Sequence, residues 1–221
     1  MLSASHGASA KPNVPDAYAW DALVDDYLAV LGRYAGERNV LVAHSFGTGL
    51  TLSALVRLHA QPQPQPPRVQ AALLLGTLLT RPEFKHGLLS LPAWVLRLIR
   101  PWLARRFRER AWHPLANLGL IAYEEKLTEN NELYVFKALL SQARWPTLAQ
   151  LSLLDLPVSV LAGDCDGLTP ADGGRALAQH LPNAGFEVLP ECGHQLMLEK
   201  PQVVLAAIRA LLTLDDSASS I

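Results

Sequence analysis

At 221 residues the chain is long enough for one fair-sized domain, and its 50% apolar content supplies a core. A formal net charge of -1 gives no basis for general binding to nucleic acid. Two cysteines, Cys165 and Cys192, are too few for a disulfide framework and fit a reducing compartment.

The first residues, through Gly7, have neither the basic nor the apolar region of a secretory signal. No run of the ~18 residues that a membrane span requires is both charge-free and continuously apolar, so the expectation is a soluble, cytoplasmic protein. Ser5 to Pro12 is small, polar and turn-forming. Leu23, Tyr27, Leu31 and Tyr34 then recur at helical intervals, which predicts an amphipathic helix over Trp20 to Tyr34. Asp16 or Asp21 would cap it, and Gly32 or Gly36 would end it. Val40 to Ala43 reads as a buried parallel strand, and Gly47 to Leu58 as the helix that follows at once.

Gln61 to Pro67 is an extended, proline-rich connector; its Pro64 to Pro67 spacing would fit an SH3-type groove, but a plain surface linker is the preferred reading. Val69 to Leu75 is a second buried strand, ended by Gly76. From Leu79 to Leu151 the strand signals stop. Trp94, Leu98, Trp102 and Phe107 mark an apolar helical face, and residues 81 to 110 hold eight Lys/Arg against two Asp/Glu. Leu118 to Leu127 and Asn131 to Gln142 are further helical stretches. Val158 to Gly163 is the third strand, with a helix started by Thr169-Pro170; Phe186 to Leu189 is the fourth, and Pro201 opens a last helix through Leu212. Strands alternating with helices imply a parallel sheet covered on both faces, an α/β fold.

Three residues able to act together lie just beyond three of these strands. Ser45 sits at a strand-to-helix turn, Asp166 in Gly163-Asp164-Cys165-Asp166-Gly167-Leu168-Thr169-Pro170, and His194 in Glu191-Cys192-Gly193-His194. In a parallel sheet such turns share the carboxyl edge, where sites form. Asp164 or Asp166 would also serve as a cap for the following helix.

The stretch Val40 to Gly49 resembles the nucleophile elbow of the α/β-hydrolase family, whose G-x-S-x-G reads here Ala43-x-Ser45-x-Gly47. Small residues are expected at positions 43 and 47 because a side chain there would meet neighbouring backbone. The order Ser, Asp, His is also the family's. The resemblance implies a partial α/β-hydrolase fold, a mainly parallel sheet flanked by helices with a helical lid insertion. The core would comprise residues 1–78 and 152–214, the lid 79–151, and a disordered tail 215–221.

The implied chemistry is a catalytic triad. A neutral serine hydroxyl is a poor nucleophile, so His194 would take its proton during attack and return it to the leaving group. Asp166, at the family's acid position, would orient the imidazole and stabilise its charged form. The Phe46 backbone N–H would donate to the oxyanion. His44 is expected only to pack. The substrate would be a carboxylic ester, thioester or lipid acyl compound, with no cofactor and no metal. Glu199, five residues after His194, faintly matches the His-Asp spacing of lipid-acting acyltransferase relatives. Cys165 and Cys192 would lie near each other if their loops meet, as independent reduced thiols.

The resemblance covers the last two thirds of a family domain. The strand that pairs with the elbow strand, and the His-Gly loop after it, have no counterpart here. The expectation is an exposed edge at Val40 to Ala43, a candidate for self-association. The Arg- and Trp-rich lid is a candidate for peripheral contact with an anionic membrane. The alternative to catalysis is a hydrolase-like fragment that acts by binding.

Overall fold

The computed structural model of the chain describes residues 9–60, 67–81, 93–128 and 131–214. Ser5 to Ala8 of the first turn, the connector up to Pro66, the stretch with Glu83 and the tail from Asp215 lie outside the described residues, as do the side chains of Trp94, Arg97 and Arg100.

β1 (Asn39–His44), β2 (Val69–Leu75), β3 (Val158–Gly163) and β4 (Ala184–Leu189) form one four-stranded sheet in chain order, with every pairing parallel. β2 is apolar from Ala71 to Leu75 because helices cover both of its faces. Ala72 and Leu74 point to one layer with Leu52, Leu55 and Leu177; Ala71, Leu73 and Leu75 point to the other with Leu196, Val204 and Leu211. The first layer belongs to α2 (Phe46–Ala60) and α7 (Ala171–His180), the second to α8 (Leu196–Glu199) and α9 (Pro201–Leu212). Among the described residues β1 pairs with β2 alone, and Val42 on it is 46% exposed.

α1 (Trp20–Tyr34) packs on α2 through Trp20, Leu23 and Val24, around which Ala54 is buried. Its bounds are those expected, but its N-terminal capping is not. Ala19 stands at the N-cap with no side-chain bond, while Asp21 binds Arg57 at 2.7 Å and Asp16 offers only its carbonyl, to Ala19. The helix runs through Gly32, and Tyr34 is exposed instead of continuing the apolar face. Asn39 brackets the chain beyond it, accepting from Gly36 N–H at 2.9 Å and donating to Gly36 O at 3.0 Å.

Between β2 and β3 lie α3 (Ala93–Ala111), α4 (Leu118–Thr128), α5 (Leu133–Gln142) and α6 (Leu148–Leu151). The expected apolar face of α3 is not a core face: Leu98 is 77%, Trp102 55% and Phe107 45% exposed. Burial sets in where the helix ends, at Ala111 and Trp112, which pack with Ile121. Among the described residues no helix is long and apolar enough to cross a membrane.

Candidate active site

The sheet ladder continues past each strand into the site. Ser45 N–H donates to Leu75 O at 2.9 Å, Gly76 N–H to Leu161 O at 2.9 Å, and Asp164 N–H to Leu189 O at 3.1 Å. These bonds align the carboxyl ends of the strands, so the turns after β1, β3 and β4 converge on one edge. Ser45 has φ of 55°, a left-handed conformation unusual for a side-chain-bearing residue. Thr48 holds that turn by giving both its N–H, at 3.0 Å, and its hydroxyl, at 2.6 Å, to Ser45 O.

The structure brings the three expected side chains together. His194 Nε2 lies 2.9 Å from Ser45 Oγ, and His194 Nδ1 lies 2.8 Å from Asp166 Oδ2. His194 and Asp166 are buried. A carboxylate only accepts, so Nδ1 carries the proton and Nε2 is left as acceptor for the serine hydroxyl. Burial opposes the Asp166 charge, but the hydrogen bond and charge of His194 and the bonds from Thr169 outweigh it, holding the carboxyl below its ordinary range. Phe46 opens α2, where the first N–H groups have no intrahelical acceptor, and its ring packs edge-on against Trp20 and Trp145.

Several residues of the site escaped the sequence reading. His44 was expected to pack; its Nε2–H instead donates to the His194 carbonyl at 2.8 Å, with the two rings 4.5 Å apart. Burial, and next the neighbouring His194, lower its pKa to about 4, so the ring is neutral at physiological pH. Thr169, expected to start a helix, gives its hydroxyl to Asp166 Oδ2 and its N–H to Asp166 Oδ1 at 2.8 Å, and Pro170 takes the cap position. Asp166 therefore shapes its own turn, also accepting Leu168 N–H at 2.8 Å, rather than capping α7. Gly76 has φ of +55°, and a Cβ on it would stand 3.1 Å from Thr169 Oγ1, 3.2 Å from His194 Nδ1 and 3.3 Å from Asp166 Oδ2.

The steric expectation for the elbow is corrected as well. A Cβ on Gly47 would meet nothing within 4 Å, whereas one on Gly49 would lie 2.4 Å from the Trp145 ring. The close approach is between α2 and that indole, two residues beyond where the G-x-S-x-G pattern puts it.

The other acids hold the loops. Asp164 accepts the N–H groups of Glu191 and Cys192, each at 3.0 Å, and the Cys192 bond leads in keeping its carboxyl below the usual range. Glu199 places its oxygens 3.1 Å from Gly193 N and 3.0 Å from His113 N, so its carboxylate is engaged by backbone. The cysteine loops do meet, with Cys165 N–H donating to Cys192 O at 2.9 Å, and both thiols are free. Burial pushes the Cys192 thiol up to about 12, which keeps it protonated. Among the described residues no group of three or more His, Cys, Asp or Glu is placed to hold a metal ion.

The sequence pattern described as "Alpha/beta hydrolase family" matches residues 3–207. Protein ABHD8 of Homo sapiens is 29% identical over 206 residues, a match that takes in 91% of this chain and 45% of the human protein. The chain thus spans about half the length of that relative. Among solved structures, an esterase from Exiguobacterium antarcticum superposes with a TM-score of 0.78 at 16% identity, covering 95% of this chain and 79% of the other. A bromoperoxidase from Bacillus anthracis gives 0.74 at 13%, covering 96% and 79%. At such identities these two likenesses show the fold.

Proposed function

The chain belongs to the alpha/beta hydrolase family, and on that premise we propose that it is a serine hydrolase cleaving a carboxylic ester, thioester or lipid acyl bond. One observation carries the reading: the unbroken line from Asp166 Oδ2 through both His194 nitrogens to Ser45 Oγ, at 2.8 and 2.9 Å. A chain that only bound a partner would have no need of it.

In this reading the acyl carbonyl carbon is attacked by Ser45 Oγ as the hydroxyl proton passes to His194 Nε2. Asp166 stabilises the imidazolium across Nδ1–H, and the Phe46 N–H, at the positive end of α2, faces the oxygen that gains charge. His194 then protonates the leaving group. Water repeats the sequence on the acyl-serine, releasing the acid and restoring Ser45. Hydrolysis of p-nitrophenyl esters of graded chain length by the chain and by Ser45→Ala tests this. Turnover that is lost in the variant supports the reading; equal turnover by both overturns it.

A second reading, contact of α3 with an anionic membrane surface, is favoured by the exposure of Leu98 and Trp102 on the face that also bears Arg105 and Arg106. Co-sedimentation with phosphatidylserine vesicles, compared between the chain and Arg105→Glu/Arg106→Glu, tests it; binding that survives both changes rejects it.

A further inference from the structure

Three segments distant in sequence meet behind His194. The end of α3 gives Ala111 O to His194 N–H at 2.7 Å and Arg110 O to Gly167 N–H at 2.9 Å, while the Arg110 guanidinium donates to Gly167 O. The loop carrying Asp166 and the loop carrying His194 are thus both fastened to one helix end. The fit is close: a Cβ on Gly193 would lie 2.6 Å from Ala111 O and 2.7 Å from His113 N, and one on Gly167 would lie 3.2 Å from the Arg110 side chain. Glu199, at the end of α8, closes the junction with one oxygen on each side of it, on Gly193 N–H and on His113 N–H.

We propose that Glu199 is a positioning residue that locks the end of α3 to the His194 loop, so that the placement of α3 decides whether His194 Nε2 stays within reach of Ser45 Oγ. This inference rests on the reading of Ser45 as nucleophile and His194 as base. The chemistry of the clamp requires a carboxylate. Two N–H donors need two acceptors, and hydrogen bonds to an ionised oxygen are roughly twice as strong as neutral ones. An amide would turn its NH₂ against one of the two donors. Because the His194 N–H is itself held by Ala111, a displacement of the α3 end is handed to the His194 backbone. A ~1 Å misplacement of a reacting group costs on the order of 100-fold in rate.

The experiment uses the full chain with an active ester and a serine-directed fluorophosphonate, comparing wild type, Glu199→Gln, Glu199→Asp and Ser45→Ala. The expected result is a kcat and labelling rate ~10- to 100-fold lower in Glu199→Gln with KM within about twofold, and partial recovery in Glu199→Asp, which keeps two acceptors. Unchanged kcat in Glu199→Gln, or a raised KM at unchanged kcat, overturns the proposal. Amide hydrogen exchange of the wild type supplies a readout that depends neither on the variants folding nor on catalysis. The clamp predicts that His113, Gly193 and His194 open at one common rate; separate rates overturn it. A wild type that neither labels nor turns over, yet shows the common rate, leaves the clamp standing and counts against the reading of Ser45 alone.

Discussion

His44, the residue just before Ser45, donates its Nε2–H to the backbone carbonyl of His194, the residue opposite that serine, at 2.8 Å. The end of β1 therefore holds both members of the pair: Ser45 through the chain, and His194 through a ring. Replacing His44 by Phe leaves a carbonyl without its partner, at ~1–3 kcal/mol, and frees the His194 backbone on that side. The expected outcome is lower stability in urea unfolding together with slower labelling of Ser45.

The same ring gives the fold an acid limb. Its pKa is lowered from 6.5 to about 4 in the folded chain, chiefly by burial, so between those values the unfolded chain binds the extra proton. Its contribution is complete above about pH 6.5 and is lost as pH falls toward about 4, on the order of 3 kcal/mol in all. Unfolding free energies measured from pH 7 to pH 4 are expected to fall in the wild type and to flatten over that window in His44→Phe.

Thr169→Val keeps the shape of the side chain and removes the hydroxyl that donates to Asp166 Oδ2. A hydrogen bond to a charged group is worth ~1.5–3 kcal/mol. Asp166, whose folded pKa is depressed, contributes stability above its unfolded value and loses it as pH falls through the folded one. The substitution raises the folded pKa, so the stability of the variant is expected to fall at higher pH than the wild type's on the acid side, as followed by circular dichroism.

Gly76→Ala tests the packing of the Asp166 and His194 pair. The new methyl group would be forced into a left-handed backbone and within 3.3 Å of polar atoms of Thr169, His194 and Asp166. A cost of ~1–3 kcal/mol and a clear drop in labelling rate are expected.

The edge of β1 that has no strand partner among the described residues predicts an association that can be measured. Val42, 46% exposed on a strand that pairs on one side among the described residues, offers an apolar edge for a second copy. Light scattering is expected to show a mass that rises with concentration in the wild type and stays constant in Val42→Lys. A constant wild-type mass rejects the association.

The strands and the serine, aspartate and histidine were legible because their signals are local. An apolar run such as Val69–Leu75 announces a strand covered on both faces, and a residue next to a strand end inherits its place from the sheet. The supports of those residues were not legible, because they are contacts between segments far apart in sequence. Nothing near position 199 reveals that its carboxylate meets His113, and nothing in the apolar run through Ala43 marks His44 as a donor to position 194. Helical periodicity left one matter open: it grouped Leu98, Trp102 and Phe107 on an apolar face, and all three are exposed. Spacing alone does not say whether another element covers a stripe.

The most direct measurement is fluorophosphonate labelling of the purified 221-residue chain beside Ser45→Ala, with folding and size followed in the same samples. A hydroxyl held 2.9 Å from a histidine that is itself oriented by a carboxylate should label in the wild type and not in Ser45→Ala. A folded, monodisperse wild type that stays unlabelled would contradict the reading of Ser45 as an activated nucleophile.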